Sequence, residues 1–224
     1  DPVFAEWRKA GRMTPELIWQ RHLKVLKAGN NSMASYLSNL LPAAERPNAL
    51  LLQQVNANPR LLKQTGKFAK QSPHMKTIIL HGLEKLARLN AKEALSLWRI
   101  YDAQQLFSDE DRNTIKHHIA LRLLHQDYDT EAQNLVASTP GLNSVDLLEW
   151  LLRESLRKQQ WEQVNEWLTR LPDEARSTER WRYWQARTME ELGIKEINGE
   201  TPMAIYNSVA PARSFYGFLA ADKT

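Results

Sequence analysis

Apolar residues recur at intervals of three and four along most of the chain. Leu17, Ile18, Leu23, Val25 and Leu26 form one broad stripe, and Ile115, Ile119, Leu123 and Leu124 form another. This is the spacing of a buried helical face, and the strict alternation that marks a half-buried strand is absent. Helix starts are chemically marked. Thr14-Pro15, Asn58-Pro59, Ser72-Pro73 and Thr201-Pro202 each set a capping side chain before a proline, whose fixed φ and missing N–H suit the first helical position. Ser108 precedes Asp111 by three and Asn143 precedes Asp146 by three, which brings negative charge to the positive end of a helix dipole. The pattern predicts helices over 3–10, 15–28, 31–41, 43–57, 59–70, 74–89, 91–107, 109–125, 128–138, 144–158, 161–171, 176–192, 203–210 and 213–222.

The intervening segments are short, so consecutive helices should pack antiparallel. Ala28-Gly29-Asn30-Asn31, Leu89-Asn90-Ala91 and Arg157-Lys158-Gln159-Gln160-Trp161 look like one element repeated: a helix end, a polar turn, a new helix. The expected fold is therefore all-α, an α-solenoid of stacked antiparallel hairpins of tetratricopeptide-like type with an irregular period. Residues 144–158 and 161–171 should pair, with 176–192 packing next. Pro42, Pro47 and the loop 194–201 interrupt the helices, and that loop is the best boundary.

Composition narrows the function classes. With 224 residues and 42% hydrophobic positions, the chain can bury a substantial core. No apolar run is long enough to span a membrane. The start, Asp1-Pro2-Val3, does not read as a signal peptide; a mature exported fragment and a cytoplasmic protein would both begin this way. The absence of cysteine excludes disulfides, thiol nucleophiles and thiolate metal sites. The net charge of +4 hides an asymmetry: residues 1–100 hold 16 Lys/Arg against 6 Asp/Glu, and residues 101–224 hold 14 against 20. A basic first half favours an anionic partner, or is simply an uneven solvated surface.

Candidate chemistry is sparse. His117 and His118 are adjacent and so point about 100° apart on a helix, and His125 lies two turns from His117, so no shared metal ion is expected. Asp109-Glu110-Asp111 sits where a helix start favours acid. No phosphate-cradling glycine loop or Ser/His/Asp signature is present, and no cofactor is expected. Eight tryptophans fall on predicted helices: Trp7, Trp19, Trp98, Trp150, Trp161, Trp167, Trp181 and Trp184. Each either packs between hairpins or stacks on a ligand ring. Trp181 and Trp184, three apart, should share one face, and Tyr183 and Arg187, four apart, another. Arg213, Phe215, Tyr216 and Phe218 make a short aromatic helix that must dock on the preceding helices or on a further domain.

Three segments carry a family resemblance: Asp1-Pro-Val-Phe with Trp7-Arg-Lys-Ala-Gly11; Trp167-Leu-Thr-Arg-Leu-Pro172 followed by Trp181-Arg-Tyr-Trp-Gln-Ala-Arg187; and Arg213-Ser-Phe-Tyr-Gly-Phe-Leu-Ala-Ala-Asp222. Together they resemble the non-catalytic superhelical region of the large soluble lytic transglycosylases. Residues 40–140 match mainly in helical pattern. The resemblance implies a periplasmic enzyme that cleaves the MurNAc–GlcNAc bond of peptidoglycan, with a U-shaped superhelix, a small linker domain and a lysozyme-like catalytic domain. It implies that residues 1–200 belong to the superhelix and 201–224 begin the linker. The catalytic glutamate of such enzymes lies in a Glu-Ser motif followed by Gly-Leu-Met-Gln. Here Glu154-Ser155 is the only Glu-Ser pair, it falls mid-helix, and no Gly-Leu-Met-Gln occurs. No catalytic residue is therefore assigned, and the chain is expected to be inactive alone.

The resemblance makes glycan strands and the absent catalytic domain the expected partners. Trp181, Tyr183, Trp184, Arg187, Arg213, Phe215, Tyr216 and Phe218 are the candidate glycan or interdomain contacts. A free-standing helical-repeat adaptor for protein partners is the alternative. Nucleic-acid binding by the basic half is a weaker idea and is not expected.

Overall fold

The computed structural model describes residues 13–69 and 72–224. The expected helix 3–10, with Trp7 and the first segment of the resemblance, lies outside these. Thirteen α-helices follow one another among the described residues: α1 Pro15–Lys27, α2 Asn31–Leu40, α3 Arg46–Ala57, α4 Met75–Leu89, α5 Ala91–Asp102, α6 Asp109–His125, α7 Asp129–Ala137, α8 Val145–Arg157, α9 Trp161–Arg170, α10 Asp173–Arg176, α11 Glu179–Glu191, α12 Pro202–Val209 and α13 Phe215–Ala221. Two 3₁₀ segments, Pro59–Lys63 and Thr65–Phe68, lie between α3 and α4. Among the described residues the only β feature is an isolated bridge between Ile197 and Glu200. The fold is all-α, as the periodicity requires. Helix lengths run from 4 to 17 residues, so the hairpins do not repeat a fixed unit.

Most expected caps form. Thr14 accepts from the Leu17 amide at 3.3 Å, Asn58 from Arg60 at 3.2 Å and Thr201 from Ala204 at 3.2 Å. Ser108 and Asp111 make a reciprocal box: the Ser108 amide donates to the carboxylate at 3.0 Å, and the Asp111 amide donates to the hydroxyl at 3.2 Å. Ser72 makes no such cap. Its hydroxyl is buried without a partner, and α4 begins later, at Met75. The expected helix 59–70 is replaced by the two tight 3₁₀ pieces. Within the first piece the Leu62 carbonyl accepts the Tyr101 hydroxyl at 2.6 Å. Helix α5 stops at Asp102 rather than running to 107, and Gln105 takes a positive φ of 56° in the turn.

The chain divides into two compact units, Asp1–Arg122 and Leu123–Thr224. In the first, α1 pairs with α2 and α4 with α5. Its core contains Leu37, Leu52, Leu62, Ile78, Trp98 and Tyr101, all nearly inaccessible to solvent. Each such aliphatic side chain contributes about 1.5–3 kcal/mol by leaving water. Gly82 lets α4 approach closely: a Cβ there would sit 2.6 Å from Val55 Cγ1 and 2.8 Å from Leu62 Cδ1.

In the second unit α8 and α9 pair, and α11 packs next, in the order the sequence suggested. Leu147, Leu148, Leu151 and Leu152 of α8 face Val164, Trp167 and Leu168 of α9 across this core. Arg170 ends α9 and satisfies stranded carbonyls in the last turn of α7 and just after it. It donates to Val136 O at 2.8 Å, Thr139 O at 3.0 Å and Leu142 O at 3.1 Å. Helices α12 and α13 share a further core with α11, made by Tyr183, Ala186, Met189, Ile205, Tyr206, Val209 and Ala220.

Candidate functional site

The second unit gathers most of the aromatic candidates around Tyr183. Its ring lies 5.4 Å from Trp184, 5.7 Å from Tyr206 and 5.7 Å from Tyr216, and Phe215 lies 5.2 Å from Tyr216. These tilted and edge-on separations are in the favourable range for aromatic pairs. Tyr183 is itself buried, so it organises the cluster and does not present its ring to solvent. Burial raises its hydroxyl pKa above the ordinary 10.0. Tyr206 shifts the same way, first by burial and then because its hydroxyl donates to Glu190 at 2.9 Å.

Trp181 and Trp184, about 60° apart on one side of α11, meet different neighbours. Trp181 is 1% exposed, and its indole N–H donates to Glu149 of α8 at 3.0 Å. Trp184 is half-buried and packs with Ile194, Ile197 and Tyr216 against the α11–α12–α13 core. Arg187 is half-exposed and paired: with Glu190 at 3.2 Å and with Glu191. Burial opposes its charge, but these carboxylates outweigh that and hold its pKa high.

Helix α13 docks on α11 through Tyr216, Leu219 and Ala220. Gly217 lets it do so, because a Cβ there would lie 1.9 Å from the Ala212 carbonyl oxygen. Arg213 is exposed in the turn before the helix. Phe215 and Phe218 stay 69% and 68% exposed, an unusual state for two phenylalanines on one short helix. A concavity of about 610 Å³ lies beside this helix, lined by Glu149, Thr178, Glu179, Arg180, Trp181 and Tyr216 among others. Aromatic edges beside carboxylates and a guanidinium are the surface that sugar hydroxyls and ring faces can use. Glu149 and Tyr206 were not singled out from sequence. A glutamate on a helix and a tyrosine in an apolar segment carry no signal until their partners are known.

Glu154 has no catalytic setting. Arg157 holds its carboxylate at 2.5 Å, and Lys158 lies 3.9 Å away. His118 hydrogen-bonds the Glu84 carbonyl at 3.1 Å, whereas His125 sits edge-on to Trp150 at 4.6 Å. Of the tryptophans among the described residues, Trp19, Trp98, Trp167 and Trp181 are core, and Trp150, Trp161 and Trp184 are half-buried.

The described residues thus form an all-helical fold with an aromatic cluster near the C-terminal end. Comparison with known proteins gives it a family likeness. No family model matches. The whole chain is 27% identical to the soluble lytic murein transglycosylase of Escherichia coli strain K12 and 26% identical to that of Salmonella typhimurium strain LT2, covering 34% of each. Among solved structures, an inactive mutant of a lytic transglycosylase from Pseudomonas aeruginosa aligns with a TM-score of 0.80 and 35% identity, over all of this chain and 36% of that one. The 70-kDa soluble lytic transglycosylase of Escherichia coli aligns at 0.75 with 24% identity, which shows the shared fold. The chain is thus similar throughout to a region of soluble lytic transglycosylases, and spans about a third of the length of the curated relatives it matches.

Proposed function

We propose that the chain is a non-catalytic scaffold region of a periplasmic peptidoglycan lytic transglycosylase, shaping the path of glycan strands toward a lysozyme-like domain elsewhere in the polypeptide. The observation that carries this reading is the end-to-end match at 35% identity and a TM-score of 0.80. Within it, residues 201–224 begin the linker toward that domain. Phe215 and Phe218 supply the face against which it packs, since two exposed phenylalanines cost less once covered. Trp184, Tyr216, Arg213 and the Glu149–Trp181 concavity are the surfaces offered to glycan.

The region should not cleave its substrate unaided, because the one Glu-Ser pair is tied up in ion pairing. A turbidity assay on purified sacculi tests this. The expected result is no clearing by this chain; clearing that survives repurification would overturn the reading. No helix among the described residues is long and apolar enough to cross a membrane.

A further inference from the structure

The first unit contains a pocket of about 620 Å³ formed by α1, the start of α2, α3 and α4. Its lining holds two lysines, Lys27 and Lys85, against a single carboxylate, Glu84; Arg88 lines it too and has partners of its own. Lys27 is paired with Glu84 at 3.0 Å. Lys85 has no carboxylate partner; its ammonium donates to the Asn56 carbonyl at 2.6 Å and to the Asn56 side-chain oxygen at 3.1 Å. His81 donates from Nε2 to that same oxygen at 3.0 Å. The Asn56 amide is therefore held with its oxygen occupied, and its NH₂ is the group left to donate. His81 is 3% exposed, and its Nδ1 is buried without a partner. Asn31, the first residue of α2, also lines the pocket, so the positive end of that helix borders it.

These groups select among anions. A surplus of positive charge in a concave, partly desolvated space favours a negative ligand. The retained Glu84 disfavours a dianion beside it. The volume, in the ordinary range for small-ligand pockets, is far larger than an inorganic oxyanion fills. The Asn56 NH₂ can donate to a peptide carbonyl, the Gln53 side-chain oxygen can accept from a peptide N–H while its nitrogen lies 3.1 Å from His22 Nε2, and the Asn31 amide can do either. We propose that this pocket binds the carboxylate end of a short peptide segment, with Lys85 and Lys27 on the carboxylate and the three amides on the adjoining peptide groups. The assignment rests on the first unit alone, so the result with sacculi leaves it standing or falling by itself.

The test is titration of the full chain with N-acetylglycylglycine and with its C-terminal amide, followed by backbone amide NMR. Expected is saturable binding of the acid, with shifts centred on residues 27–31, 53–56 and 81–88, and affinity at least about tenfold above that of the amide. Lys85→Met should weaken the acid by about tenfold or more. Lys27→Gln, at an exposed side chain, should weaken it without touching the core. Glu84→Gln should tighten it, a gain that misfolding cannot imitate. Equal binding of acid and amide, no saturable shift at 10 mM peptide, on the order of the weakest useful affinity, or no tightening by Glu84→Gln would each overturn the proposal. Inorganic phosphate binding more tightly than the peptide would overturn the carboxylate assignment.

Discussion

The indole N–H of Trp181 donates to Glu149 Oε1 at 3.0 Å, which fastens α11 to α8 through a buried ring and a partly buried carboxylate. Trp181→Phe keeps most of the apolar area and loses the bond. It should cost about 1–3 kcal/mol, because the carboxylate keeps its burial but loses a donor. Trp181→Ala should cost about 3–5 kcal/mol by opening a cavity. Urea unfolding of the two variants measures the difference. A Trp181→Phe variant as stable as the wild type would show that the hydrogen bond contributes nothing beyond packing.

Arg170 spends its guanidinium on backbone carbonyls of the segment 136–142 and on Asn143 Oδ1 at 3.1 Å, and it lies over the Trp167 ring at 5.5 Å. A lysine cannot reproduce that planar fork. Arg170→Lys should therefore destabilise by about 1–3 kcal/mol, nearly as much as Arg170→Ala. Hydrogen exchange should show residues 136–143 losing protection first. A lysine variant as stable as the wild type would contradict this.

His22 and His81 are buried, and burial lowers each imidazole pKa from 6.5 to about 4. Between those values the unfolded chain binds protons that the folded chain refuses, so stability rises with pH. It is fully present above about pH 6.5 and is lost as pH falls toward 4, by on the order of 2–3 kcal/mol per group. Urea midpoints at several pH values in this window report the slope. The His22→Gln, His81→Gln double variant should flatten it, whatever its absolute stability.

Gly217→Ala should detach α13. The added Cβ would meet the Ala212 carbonyl oxygen, a backbone atom that cannot swing aside. Overpacking of this kind costs about 1–3 kcal/mol, enough to open a seven-residue helix. Limited proteolysis should cut near residues 210–214 in the variant and spare the wild type. Equal resistance would mean that the helix seats without the close approach.

Local chemistry was legible in the sequence. Thr14, Thr201 and the Ser108–Asp111 pair announce helix starts because a cap needs only residues three apart. The order α8, α9, α11 followed from short connections. What escaped was set by distant partners. The 3₁₀ segment at Leu62 meets a hydroxyl 39 residues away. Trp181 and Trp184 were correctly placed on one helix, but their 60° offset is decisive only once α8 and α12 are in place. The aromatic face of α13 was visible as Phe215-Tyr-Gly-Phe218, and the structure divides it into a docked Tyr216 and two exposed phenylalanines. The pocket of the first unit had no sequence signature beyond a basic first half, since Asn56 and Lys85 meet across 29 residues.

Co-sedimentation of the chain with insoluble peptidoglycan tests the scaffold reading most directly, with Tyr216→Ala and Trp184→Ala as comparisons. The account predicts that the wild type pellets with the polymer, that both variants pellet less while remaining folded, and that the polymer stays intact. A wild-type chain that remains in the supernatant at low salt would contradict it.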